Sequence, residues 1–135
     1  MYKHVMVAVD IDHAETGKDA LALGRALCAE GAQVTALYVL EALPSYATQY
    51  LPEDHTAHRI EEFETALATE LGMPEDVTVK VVTGHSGATL VDYATTHGVD
   101  CIVISSHKPG LQDFFLGSTA SRVVRHAPCS VHVIR

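Results

Sequence analysis

The chain has 135 residues, 47% of them apolar, with 9 Lys/Arg against 17 Asp/Glu for a formal charge of −8. That length fits one domain, residues 1–135, which can bury a core without disulfides or metal. The acidic balance argues against nucleic acid or an anionic membrane surface as a partner. No stretch approaches the roughly 20 apolar residues of a spanning helix, so no membrane insertion is expected. The start, Met1 to Asp10, lacks the pattern of a secretory signal, and a cytoplasmic protein is the expectation.

The first element is the apolar run Val5-Met6-Val7-Ala8-Val9, closed by Asp10, as in a strand covered on both faces. Ala20, Leu23 and Leu27 then share a helical face, and Gly31 is read as the stop. A strand is predicted at Val34–Leu40, with Cys28 ahead of it. The three cysteines (Cys28, Cys101, Cys129) form no CxxC pair and read as reduced, small core residues. Residues 41–53 look irregular, with Pro44 and Pro52 bracketing Tyr46 and Tyr50.

A second helix carries Ile60, Phe63, Leu67 and Leu71 and closes at Gly72. His55, His58 and Asp54 at its start read as a solvated face, with a metal as the weaker alternative. Val77, Val79 and Val81 alternate with polar residues, the pattern of a half-exposed strand. Ser86 is read as the cap of a helix bearing Leu90, Val91 and Ala94 and ended by Gly98. Gly84-His85-Ser86-Gly87-Ala88 lacks the last glycine of a nucleophile elbow. Cys101-Ile102-Val103-Ile104 is a second fully apolar strand. Ser118 is read as the cap of a short helix with Ala120, Val123 and Val124, stopped before Pro128, and Val131 and Val133 alternate in a final strand.

Strands alternating with helices give a parallel sheet in a three-layer α/β sandwich of Rossmann type. The all-apolar strands belong in the middle and the alternating ones at the edges. That selects the order 3-2-1-4-5 over 2-1-3-4-5, which would bury the alternating third strand. In such a sheet ligands bind at the carboxyl ends of the strands where the order reverses, here between the first and fourth. Asp10 is delivered there from one side, and Ser105, Ser106, His107 and Lys108 from the other.

Residues 105–119 are the most informative segment. Hydroxyl residues leave the fourth strand, His107 and Lys108 follow, Pro109-Gly110 turns the backbone, and Gly117-Ser118-Thr119 opens a helix. A helix start offers unpaired N–H groups and a partial positive charge to an anion. Lys108 alone would add less than about 1 kcal/mol at an exposed site. Micromolar binding needs about 8 kcal/mol, so several donors and a base pocket must act together. The charge distribution agrees: residues 101–135 hold four Lys/Arg against Asp113 alone, whereas residues 1–100 hold 5 Lys/Arg against 16 Asp/Glu.

These features closely resemble the universal stress protein family over the whole chain. Val5 to Asp10 is similar to the family's opening strand, and Leu116 to Ile134 to its closing helix and strand. The ATP-binding members' loop of Gly, two residues, Gly, nine residues, then Gly and Ser or Thr keeps only Gly117-Ser118 here. The loop is similar instead to a short-loop subgroup reading Ser-His-Arg/Lys-Pro. The resemblance implies an adenine nucleotide α-hydrolase-like fold. It implies adenine and ribose contacts from Ala8, Val9, Asp10 and Val39, with Ser105 beside them. Phosphate contacts are implied for Ser106, His107, Lys108, Gly117, Ser118 and Thr119.

The Asp10 carboxylate suits ribose hydroxyls, and it would repel a triphosphate unless Mg²⁺ intervened. Its alternative role is a helix cap or a turn with Asp12. His107 serves as a neutral donor or a phosphate-paired cation, or is simply an exposed loop residue. Expected ligands are ATP, with AMP or ADP as variants and Mg²⁺ accompanying the nucleotide. No dedicated catalytic set is visible. At most, slow ATP hydrolysis or self-phosphorylation is expected, with Ser106 or Ser118 as acceptor. Three functional readings stay open: a nucleotide-dependent stress-response regulator with an unidentified protein partner, a nucleotide-free interaction protein, and a weak ATPase or nucleotidyl-transfer enzyme. The final strand, Ser130 to Arg135, has nothing after it to cover its edge, and a homodimer through that edge is expected, as the resemblance also implies.

Overall fold

A computed structural model of the chain describes residues 1–10, 14–42, 44–50, 54–106 and 116–135. The elements are β1 (Tyr2–Ala8), α1 (Ala14–Ala26), β2 (Cys28–Leu40), α2 (Ser45–Thr48), α3 (His55–Glu70), β3 (Val77–Thr83), α4 (Ser86–Thr96), β4 (Cys101–Ser105), α5 (Ser118–His126) and β5 (Ser130–Ile134). All strands are parallel, in the order β3-β2-β1-β4-β5. The apolar β1 and β4 are central and the alternating β3 and β5 form the edges, as their patterns require.

Strand alternation sorts the core into two layers. Val5, Val7 and Val9, with Cys101 and Val103, point to the side that also holds Leu21 of α1 and Leu67 of α3. Met6, Leu37, Ile102 and Ile104 point to the other side, against Leu90 and Ala94 of α4 and Ala120 and Val123 of α5. Gly24 lets α1 lie close on the sheet, since a Cβ there would come within 2.7 Å of Val7 Cγ2. Each layer therefore takes alternate side chains from the same strands.

Several local expectations are corrected. Helix α1 ends at Ala26, not at Gly31, because the Tyr2 N–H bonds the Leu27 carbonyl at 3.2 Å and draws the chain beside β1. Gly31 then lies inside β2 at φ +76°, where the β1–β2 register jumps between the Tyr2 and His4 pairs. Ser86 and Ser118 are not caps. Each is the first helical residue, His85 and Gly117 hold the cap positions, and no side-chain cap bond forms at either. The segment read as irregular contains the single turn α2, with Tyr46 and Tyr50 exposed. The helix ends at Gly72 and Gly98 agree, both glycines having positive φ.

All three thiols are free, and Cys101 is buried. Burial, with neighbouring thiols and Asp100 adding to it, pushes the Cys101 thiol up to about 11. It stays a thiol at neutral pH and acts as a small core residue.

Candidate functional site

A cleft of about 650 Å³ opens at the carboxyl ends of β1, β2 and β4. Its size is that of a small-molecule site. Leu37, Val39, Leu90, Ile104 and Ala120 supply apolar walls, all of them buried core residues. Asp10, Ser105, Ser118 and Thr119 supply polar edges. An apolar slot with a polar rim suits a ligand that is flat and hydrophobic at one end and charged at the other.

The parallel ladder sets the geometry. The Val9 N–H still bonds the Leu37 carbonyl at 3.0 Å, carrying the β1–β2 pairing one residue beyond β1 and placing Asp10 at the mouth. On the other side Ser106, only 1% exposed, acts as a clip. Its N–H donates to the Ile134 carbonyl at 2.8 Å, and its carbonyl accepts from the Gly117 N–H at 2.6 Å. One residue thus ties β4, β5 and the start of α5 together, which aims that helix start at the cleft.

In α5 the Ser121 N–H takes the Gly117 carbonyl at 2.8 Å. The N–H groups of Ser118, Thr119 and Ala120 precede that first intrahelical bond and receive no side-chain cap. Ser118 is exposed and Thr119 half-buried. An anion placed there meets three donors and the positive end of the helix dipole.

Of the residues expected to bind, the structure brings Ala8, Val9, Asp10, Val39, Ser105, Ser106, Gly117, Ser118 and Thr119 around this one cleft. His107 and Lys108 lie outside the described residues. Sequence reasoning missed Thr16 and Gly17 of α1, Tyr38, Glu41 after β2, and Ser86 of α4, which also line it. Position along the chain offered a signal only for Glu41, which directly follows the second strand. Ser86 arrives through packing of α4 on β2, and its Oγ donates to Glu41 Oε1 at 3.1 Å. Among the described residues no group of three or more His, Cys, Asp or Glu could hold a metal ion.

The model of the universal stress protein family matches residues 1–135. The chain belongs to the universal stress protein family. Universal stress protein G of Escherichia coli O157:H7 is 28% identical over 142 residues, and the match covers 100% of each chain. Among solved structures, universal stress protein UspA from Lactobacillus plantarum is 28% identical, with a TM-score of 0.66 over 99% of this chain and 98% of that one. A universal stress protein family member from Arabidopsis thaliana, solved with AMP bound, is 21% identical, with a TM-score of 0.56 over 98% and 90% of the two chains. The fold of this universal stress protein is the five-stranded arrangement described above. Among the described residues, no helix is long and apolar enough to cross a membrane.

Proposed function

We propose that the chain binds ATP in the cleft at the β1–β4 crossing and works as a regulator whose nucleotide state alters its contacts with a protein partner. The observation that carries this reading is the pairing of an apolar slot with the uncapped start of α5 in one cavity. Adenine occupies the slot between Val9, Leu37 and Val39, Asp10 accepts hydrogen bonds from ribose hydroxyls, and the phosphates lie over Gly117, Ser118 and Thr119. The AMP bound by the Arabidopsis relative supports an adenylate as the ligand class.

Asp10 is kept at the sugar end by charge repulsion with the phosphates. The donors at the phosphate end are N–H and hydroxyl groups, which fit a triphosphate. With no carboxylate cage among the described residues, Mg²⁺ would ride on the phosphate oxygens, as it does where substrate supplies most of its ligands. The role assigned to the site is binding rather than turnover. Homodimerisation through β5 is part of this reading, supported by the sheet order, which leaves β5 as a terminal strand with half-buried Val131, Val133 and Ile134.

The test is to denature the purified protein, chromatograph what it releases, and measure melting with ATP and Mg²⁺. A ligand that binds only the folded state raises stability by about 2.7 kcal/mol at a hundredfold excess over Kd. The expected results are a released adenine nucleotide or a rise in melting temperature that Asp10→Ala abolishes. Absence of both overturns the proposal.

A further inference from the structure

A second basin of about 510 Å³ adjoins the cleft, between the amino ends of α4 and α5. The two cavities share Glu41, Ser86, Ser118 and Thr119, and the second is completed along α5 by residues that include Arg122 and Arg125. Ser118 and Arg122 are four residues apart on one helix and so share a face, about 6 Å apart along the axis. A phosphate chain leaving the cleft over Ser118 therefore runs towards Arg122. A pyrophosphate extension spans that distance, and a single phosphate does not.

The root of Arg122 is seated. Gly87 at the start of α4 lies beneath it, so closely that a Cβ at position 87 would come within 2.9 Å of Arg122 Cδ and 3.0 Å of its Cβ. Holding the stem lowers the entropy lost when the guanidinium engages a ligand. Arg25, by contrast, is consumed by a bidentate pair with Asp76 at 2.7 and 2.8 Å. Among the described residues neither Arg122 nor Arg125 has a carboxylate within ion-pair distance. The acid on the basin's wall is Glu41, whose Oε1 accepts from Ser86 while Oε2 lies 3.8 Å from His85 Nδ1. The basin is thus locally cationic on a chain of charge −8.

We propose that Arg122 reads phosphate-chain length, holding the terminal phosphate of a nucleotide whose adenosine fills the main cleft and so favouring nucleoside triphosphates over monophosphates. This rests on the adenylate reading of that cleft. Glu41 opposes the bound phosphates and tempers the preference.

Isothermal titration of the full chain with AMP, ATP and inorganic tripolyphosphate tests it, with Arg122→Gln chosen because it keeps an aliphatic stem over Gly87. ATP is expected to bind the unaltered protein more tightly than AMP. Arg122→Gln is expected to weaken ATP and tripolyphosphate about fivefold to tenfold while leaving AMP within about twofold. Glu41→Gln, which does not depend on the folding of the arginine variant, is expected to strengthen tripolyphosphate binding. Equal weakening of AMP and ATP, or of neither, overturns the role of Arg122 and leaves the adenylate reading standing. Tripolyphosphate binding without any adenine nucleotide binding overturns the adenylate reading and leaves the cationic basin. Binding of none of the three overturns both.

Discussion

At the amino ends of β1 and β2 the polar groups close on one another, whereas at the carboxyl ends of the same strands they face an opening. His4 is buried in the sheet, with Nδ1 3.1 Å from the His97 carbonyl and Nε2 2.9 Å from Thr35 Oγ1. A carbonyl only accepts, so Nδ1 carries the proton, and in the neutral ring Nε2 takes the Thr35 hydroxyl. Asp100 accepts the N–H groups of Lys3 and His4 at 2.8 and 2.9 Å. His97 continues the cluster by stacking on Tyr93, with ring centroids 3.8 Å apart. The N–H groups of Lys3 and His4, the His4 ring and the Thr35 hydroxyl all have protein partners. At the carboxyl end, the N–H groups of Ser118, Thr119 and Ala120 that open α5 receive no side-chain cap among the described residues. The closed end spends its polar groups on the fold, and the open end presents its polar groups to the cleft.

That division is easiest to break at the closed end. Thr35→Val keeps shape and removes the one hydroxyl facing His4 Nε2 in a fully buried position. Leaving a buried polar atom unpartnered costs about 1–3 kcal/mol, so urea denaturation should show a lower midpoint at unchanged slope. The cleft lies at the far end of the strands, and nucleotide affinity should be preserved. An unchanged midpoint would mean that the amino end contributes nothing to stability.

Asp100→Asn gives a smaller effect that depends on pH. Burial works to raise the Asp100 carboxyl, but the hydrogen bonds from Lys3 and His4 N–H outweigh it and hold the group below the usual carboxylate range. A depressed carboxylate contributes stability above its unfolded pKa, about 3.9, and that contribution is lost as pH falls through the folded value. The variant should therefore be less stable than the parent at neutral pH. The two melting curves should converge as pH falls below about 4. Curves that stay parallel over that range would show that the charge of Asp100 is not what the two N–H groups require.

The smallest change in stability is expected at the open end. Ser118 is exposed and makes no cap bond, so Ser118→Ala should alter stability by less than about 0.5 kcal/mol. Nucleotide affinity should fall severalfold in the same protein, read by calorimetry. A loss of stability comparable to that of Thr35→Val would make the start of α5 a structural feature like the amino end, and the contrast between the two ends would disappear.

Much of this was legible beforehand because it depends on patterns short enough to read along the chain. The runs Val5–Val9 and Cys101–Ile104 against the alternating Val77–Val81 and Val131–Val133 were enough to order the strands, since a half-polar strand cannot occupy the middle of a covered sheet. Asp10, Gly117 and Ser118 were legible from their places just after strands or at a helix start. The helix caps were not. Serines at positions 86 and 118 have the right chemistry for a cap, but which residue turns into the helix is decided by how the preceding loop enters it, and His85 and Gly117 hold those places. The end of α1 was misplaced for a similar reason, since the Tyr2–Leu27 bond extends β2 back to Cys28.

What the amino-acid sequence determined by itself is the class of fold, the strand order and the end of the sheet where the cleft opens, because hydrophobic periodicity and chain-order rules act locally and leave few topologies. What only the tertiary structure decided is which distant residues meet. Ser106 joins β4, β5 and α5 through two backbone bonds, Ser86 reaches Glu41 across 45 positions, and Arg122 finds its seat on Gly87. Such meetings depend on how helices settle on the sheet to fill space, and no spacing along the chain records that packing.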